Sequence, residues 1–358
     1  MEEQVYKKLA LKLDALPNGY PATQSGVELK ILEKIFSLEE ATLAAEMHMH
    51  PEPAGEIAVR AGVDPDAANK MLKSMVRLGK IRATKRDGGL CFGLMPFVVG
   101  FYEEQLPRLD VELASLVEDY FQEAMGSIHR DVPSLHRVIP VDEAVPFDLE
   151  IFPYEHASDL VEGAKAWAVR DCICRVQQKL VGKGCDHSVN NCLSFAPIEG
   201  YFNTSTVSRA ITKEEALTIL RDTEAEGLVH TTGNYRDGVH YICNCCTCCC
   251  GILRGVAEFN IPTAVAHSDF RSVVAEEICS GCEDCLARCL FGALSIVDGV
   301  CQVDYSKCVG CGLCAPSCET GAITLERRPL EDATVIPGDF REWLEDRAHS
   351  RGINLADS

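Results

Sequence analysis

The sequence predicts a multi-domain chain of α+β class, on three observations. Helical periodicity in the first hundred residues gives way to a turn-and-hairpin signal, the cysteines are confined to the second half, and a short sequence repeat lies near the end. The 358 residues suffice for more than one buried core, and 47% hydrophobic with 25% charged residues excludes wholesale disorder. The net charge of −20 argues against a protein that coats nucleic acid or an anionic membrane and fits one that meets partners through acidic surface. No apolar run approaches the roughly 18–20 residues that cross a bilayer, so membrane insertion is not expected. The opening Met1-Glu2-Glu3-Gln4 lacks the basic and apolar regions of a secretory signal, and a cytoplasmic location is expected.

Taken in order, Val27, Leu29, Ile31, Leu32, Ile35, Phe36 and Leu43 recur at helical spacing between Gly26 and Met47, and Pro51-Glu52-Pro53 breaks the pattern. Ala54–Ala61 is a first short helix. Asp64, as N-cap with Pro65 at the first helical position, opens a second that runs to about Leu78 and ends at Gly79. Ile81–Thr84 and Leu90–Leu94 flank the turn Lys85–Gly89, a hairpin signal. Helix, glycine turn, helix and hairpin resemble a winged helix-turn-helix, and residues 1–105 are assigned to a helical, winged-helix-like domain. Arg60, Lys70, Lys73, Arg77, Lys80, Arg82, Lys85 and Arg86 face only three aspartates there, a patch able to meet phosphates. DNA therefore stands as an alternative partner, which the charge of the whole chain disfavours.

Residues 106–170 read as a helical connector with a proline-punctuated stretch from Val132-Pro133 to Phe152-Pro153, where Tyr154-Glu155-His156 is expected to be a surface turn. Residues 171–270 form a Cys-rich α+β domain. There Thr212 and Glu215 make a capping box before the helix Lys213–Glu226, which stops at Gly227, and a hairpin follows. That order echoes residues 66–94 and suggests a second winged-helix-like fragment.

Of the 20 cysteines only Cys91 lies before Cys172. In a long chain of cytosolic character, Cys-x-x-Cys spacing points to metal rather than disulfides. Cys279, Cys282, Cys285 and Cys289 have the spacing C-x2-C-x2-C-x3-C, and Cys308, Cys311, Cys314 and Cys318 repeat it 29 residues on. Gly292-Ala293-Leu294 and Gly321-Ala322-Ile323 stand at the same offset, with a hairpin at the Asp298-Gly299 turn between the runs. Residues 276–325 thus resemble the bacterial two-cluster ferredoxin domain, and the domain is drawn at 271–328 with a C-terminal tail and short helix at 329–358. Three thiolates three residues apart wrap one face of a compact iron–sulfur cube. The resemblance implies that the fourth cysteine of each run ligates the other run's cluster. One [4Fe-4S] cluster would take Cys279, Cys282, Cys285 and Cys318, the second Cys308, Cys311, Cys314 and Cys289. Leu290 and Glu319 stand where that family carries proline, a departure that bears on potential and removes no ligand. Cys301 reads as a buried small hydrophobe.

Ten cysteines remain: Cys172, Cys174, Cys185 and Cys192, then Cys243, Cys245, Cys246, Cys248, Cys249 and Cys250. Unbound, such a run is an oxidation hazard. If extended, it sends Cys243, Cys245 and Cys249 one way and Cys246, Cys248 and Cys250 the other; if helical, Cys245, Cys248 and Cys249 converge. Either way it is shared between sites or completed by Cys172–Cys192. At least one further metal site is expected, an additional iron–sulfur cluster first and zinc second, the zinc held by four thiolates or by three with His187.

The opening Leu16-Pro17-Asn18-Gly19 and Ser25–Leu29, the Cys172-x-Cys174-Arg175 element, Asn244-Cys245-Cys246 and the terminal domain together resemble multi-domain ferredoxin-type proteins of anaerobes. That resemblance implies an iron–sulfur electron-transfer protein, a subunit or redox partner of a larger oxidoreductase, and specifies no reaction or catalytic residue. Neither G-x-G-x-x-G after a strand nor a Walker A motif is present. The alternative is a redox-sensing winged-helix transcription regulator.

Overall fold

The computed structural model describes residues 2–86, 88–145 and 152–355, so residues 146–151 of the proline-punctuated stretch and Asp87 of the first hairpin turn lie outside it. Helix and sheet are mixed, in keeping with the α+β class. The chain divides into two compact units, one of Met1–Asp131, Leu180–Gly182 and Leu344–Ser358, the other of Val132–Lys179 and Lys183–Trp343.

In the first unit a helix spans Glu2–Asp14, and the stretch expected as one periodic segment is two helices, Val27–Ile35 and Leu38–Ala44. Ser37 and Glu40 form a capping box between them, which restarts the chain where apolar spacing alone runs on. Strand β1 (Glu52–Pro53) precedes helices Ala54–Ala61 and Pro65–Arg77, and β2 (Ile81–Arg86) and β3 (Gly89–Leu94) follow in a three-stranded sheet of order β1-β3-β2. Asp64 caps the second helix, accepting from the N–H groups of Asp66 and Ala67. Tyr20, Phe97 and Tyr120 pack in the core with centroids 5.0–5.6 Å apart, Phe97 meeting both tyrosines edge to face. Arg347 is fully buried, donating to the carbonyls of Pro17, Ile128 and Asp131 at 2.8, 2.9 and 2.6 Å. Three of the eight cations in the basic patch are used internally. Arg60 donates to the Glu46 carbonyl, Lys80 pairs with Glu40, and Arg82 donates to the Met49 carbonyl at 2.7 Å. Lys70, Lys73, Arg77, Lys85 and Arg86 are exposed.

The second unit is built on a six-stranded antiparallel sheet. Its strands are β4 (His136–Ile139), β5 (Ala166–Asp171), β6 (Asn190–Ala196), β7 (Arg209–Ile211), β8 (Val229–Gly233) and β9 (Tyr241–Cys245), in the order β4-β8-β9-β6-β5-β7. Thus β4 and β5, in the stretch read as a connector, are sheet strands. The hairpin β8–β9, expected with the helix Lys213–Glu226 as a second winged-helix fragment, is part of this larger sheet, and the helix packs against it. Leu220 of that helix packs with Val161, Val169, Leu193, Phe195 and Ile242 over one face. Because side chains alternate along a strand, the neighbours of Leu193 and Ile242 turn to the other face: Cys192 on β6, Cys243 and Cys245 on β9.

The C-terminal part adds two antiparallel pairs. β10 (Phe270–Val274) pairs with β13 (Ile323–Arg327), and β11 (Leu294–Val297) forms a hairpin with β12 (Val300–Val303) through Asp298 and Gly299. Glu155 corrects the surface-turn expectation: it is 3% exposed and takes both Arg327 guanidinium nitrogens at 2.7 and 3.1 Å. Among the described residues no helix is long and apolar enough to cross a membrane.

Candidate iron–sulfur centres

The two cysteine runs sit on loops that need glycine. Gly281, Gly310 and Gly312 all have φ between +66° and +79°, a conformation L side chains rarely adopt. A Cβ on Gly281 would stand 2.4 Å from the Gly299 carbonyl, and one on Gly310 2.0 Å from the Phe270 carbonyl. The backbone is folded tightly behind each loop, and the thiols face inward. One cavity is lined by Cys279, Cys282 and Cys285 of the first run together with Cys318 of the second. Cys289 of the first run in turn neighbours Cys311 and Cys314 of the second, with Cys308 beside them.

All twenty cysteines are free thiols. Burial pushes Cys314 up to about 11, its charged neighbours Cys308 and Cys289 adding to the effect, and burial raises Cys285 as well. Thiols crowded in this way resist ionisation unless a cation sits among them, so the donor set fits a metal cluster. Donors to sulfur are in place: the N–H of Cys301 points to Cys279 Sγ at 3.4 Å, that of Ala293 to Cys289 Sγ at 3.2 Å, and the Ser272 hydroxyl lies 3.2 Å from Cys314 Sγ. Such hydrogen bonds set the potential of a bound cluster. Cys301 is 1% exposed on β12, its Sγ 3.7 Å from Cys285. Burial, then Cys285, raises its thiol to about 12.

The Cys-rich run is neither wholly extended nor wholly helical. It is a strand through Cys245 and then a turn, closed by the Cys250 N–H donating to the Cys246 carbonyl at 3.1 Å. That switch divides the ten cysteines into two groups. In the larger, Cys172, Cys174, Cys250, Cys245, Cys243 and Cys192 neighbour one another in that order and close back on Cys172, a ring of six thiols. In the smaller, Cys185 joins Cys246, Cys248 and Cys249, their four Sγ atoms all within 4.8 Å of one another.

Arg175, 2% exposed, lies beside Cys172, Cys246 and Cys245, and is held by Asn191 Oδ1 at 3.0 Å and the Asn244 carbonyl at 2.7 Å. Burial opposes its charge, but the neighbouring thiolates outweigh that and raise it. A polar ladder continues from there, buried at Asn191, Asn244 and His230 and half-buried at Glu224 and Arg288. Asn244 donates to the Asn191 carbonyl at 2.6 Å, His230 sits 2.6 Å from Asn244 Oδ1 and 2.9 Å from Glu224, and Arg288 donates to the Glu224 carbonyl at 2.8 Å. Arg288 immediately precedes Cys289. Of these ladder residues only Arg175 and Asn244, each beside a cysteine motif, stood out in the sequence, since nothing local marks a buried His–Asn–Asn chain.

A family profile described as the 4Fe-4S binding domain matches residues 301–324, which contain the whole second cysteine run. The chain is 34% identical over 58 residues to pyruvate synthase subunit PorD of Methanothermobacter marburgensis, covering 16% of this chain and 68% of that one. It is 32% identical over 84 residues to hydrogenase-4 component A of Escherichia coli, covering 23% and 41%. To formate hydrogenlyase subunit 2 of the same organism it is 42% identical over 60 residues, covering 16% and 30%. The chain therefore spans less than half the length of these two Escherichia coli relatives. No solved structure matches. The glycine-backed cysteine loops, the profile match and the coverage of the short archaeal subunit agree: through its C-terminal domain the chain belongs to the 4Fe-4S ferredoxin-type iron–sulfur proteins.

Proposed function

We propose that the protein relays single electrons through two [4Fe-4S] clusters and a further iron–sulfur cluster in the six-thiol ring, as a subunit or redox partner of a larger oxidoreductase. Cys279, Cys282, Cys285 and Cys318 hold the first cluster, and Cys308, Cys311, Cys314 and Cys289 the second. A bound cube supplies one-electron exchange with little change of geometry. The observation that carries this reading is the exchange of the fourth cysteines: Cys318 lines the first run's cavity, and Cys289 stands among the second run's thiols. The chain's own part is to exclude water, to aim N–H donors at sulfur and to set the field. A net charge of −20 disfavours adding electrons and lowers the potentials. The ladder from Arg175 through Asn244, His230 and Glu224 to Arg288 supports transfer between the ring and the second cluster.

Names of the relatives support a role in a larger assembly, since two of those described are called subunits and one a component. The helix pair and hairpin of the first unit are read as a winged-helix module for docking protein. Internal use of Arg60, Lys80 and Arg82 leaves five exposed cations there, which weakens the regulator reading. An anaerobic redox titration followed by EPR tests the proposal. One-electron signals that appear only below about 0 mV support it, and both clusters reducing above that value refute the low-potential assignment. Nanomolar, sequence-specific DNA binding dependent on cluster oxidation would replace the electron carrier with the regulator.

A further inference from the structure

The smaller cysteine group has the dimensions of a different metal site. Cys185 Sγ lies 3.9 Å from Cys246 Sγ and 3.5 Å from Cys249 Sγ, and Cys248 and Cys249 are 3.8 Å apart. Four thiolates around one ion at ~2.3 Å form a tetrahedron whose edges are ~3.8 Å. A cube places several iron and sulfide atoms between its thiolates and holds them further apart. The same structure offers the comparison. Among the described residues, neither ferredoxin run nor the six-thiol ring gathers three sulfurs as closely as this group does.

We infer that Cys185, Cys246, Cys248 and Cys249 bind one zinc ion as a closed tetrathiolate site, separate from every iron–sulfur cluster. Thiolates in a tetrahedral array select zinc or iron–sulfur units, and the spacing removes the multi-iron clusters. The local chain is shaped for it. Three ligands come from the single turn that follows β9, and the fourth from the loop after the helix Ile173–Leu180. Leu228, fully buried, packs on Cys246 and Cys249 with Cys185 beside them, which shields that side of the site from water, while Cys248 closes it from the exposed side. Zinc with four thiolates carries two negative charges, and buried Arg175 lies against Cys246 to offset one of them. His187 is not among the ligands here: neither of its ring nitrogens joins the four sulfurs that lie within 4.8 Å of one another, and its Nδ1 is 3.1 Å from Glu226. With zinc bound, the turn that presents Cys250 and Cys245 to the ring is pinned, so the site is structural and redox-inactive.

The site stands independently of the electron-transfer reading, and one set of measurements on the anaerobically purified full chain separates them. Zinc and iron are counted by mass spectrometry, zinc coordination is read by X-ray absorption, and the ferredoxin clusters by EPR. The expected result is one zinc per chain with four sulfurs at ~2.3 Å. Cys248→Ser and Cys185→Ser should each lower zinc at least ten-fold while iron and the EPR signals stay unchanged. Zinc-free wild-type protein, or a zinc shell with nitrogen or oxygen donors, overturns the inference. Loss of about four irons on Cys248→Ser overturns it in favour of a cube, and loss of about one in favour of a single iron. Should both variants misfold, the wild-type absorption spectrum decides alone.

Discussion

Alanine at Gly310 should empty the second cluster site, and the size of the effect follows from two separable costs. Gly310 lies between Cys308 and Cys311 at φ +74°, where any L residue carries about 1–2 kcal/mol of strain. Its new Cβ would also sit 2.0 Å from the Phe270 carbonyl oxygen and 2.2 Å from Ser268 Oγ, so the loop must move by more than ~1 Å to reach ordinary contact. Such overpacking costs about 1–3 kcal/mol. The Ser268 hydroxyl, which donates to the Gly310 carbonyl at 2.7 Å, loses a bond worth about 1 kcal/mol. Gly292, beside Cys289 in the same cluster set, is the control: its φ is +60°, but an added Cβ meets nothing within 4 Å. Gly292→Ala therefore carries the strain alone. The difference, about 3 kcal/mol, corresponds to a little over a hundred-fold in the equilibrium that keeps the loop closed on its cluster. Anaerobic transfer of iron to a chelator, with EPR to identify the cluster lost, reads that ratio. Equal iron retention in Gly310→Ala and Gly292→Ala would refute the packing argument.

The exchanged ligands make a pairwise prediction. Cys318→Ser alone and Cys318→Ser with Cys279→Ser should each lose about four irons, whereas Cys318→Ser with Cys308→Ser should lose about eight; the opposite pattern would assign Cys318 to its own run. Cys301→Ser should keep both ferredoxin clusters in EPR. In the folded wild type its thiol, raised to about 12 by burial and Cys285, should resist alkylation at pH 8 when followed by mass spectrometry; rapid labelling would contradict its place in the core.

The parts legible in the sequence were those whose cause is local. The C-x2-C-x2-C-x3-C runs, the Asp298-Gly299 turn, the Asp64 cap and the Thr212–Glu215 capping box are each written within a few residues, and each has its element in the structure. Ser37 and Glu40 were equally local, but a continuous apolar stripe across them masked the break. What stayed hidden depends on distant partners. Pairing of β10 with β13 joins segments separated by both cysteine runs. Glu155 is buried because Arg327 reaches it from the far end of the chain, and no feature of Tyr154-Glu155-His156 announces that. The division of ten cysteines into a ring and a tetrad rests on one turn at Cys246, where the alternation of β9 stops. A strand rule and a helix rule each described part of that run and neither described the whole.

Iron and acid-labile sulfide analysis of anaerobically purified protein, combined with EPR after reduction, is the most direct test of the central claim. The account predicts at least about eight irons per chain with two one-electron signals, and about twelve when the six-thiol ring is filled. Well-folded protein that is colourless and free of iron would contradict it.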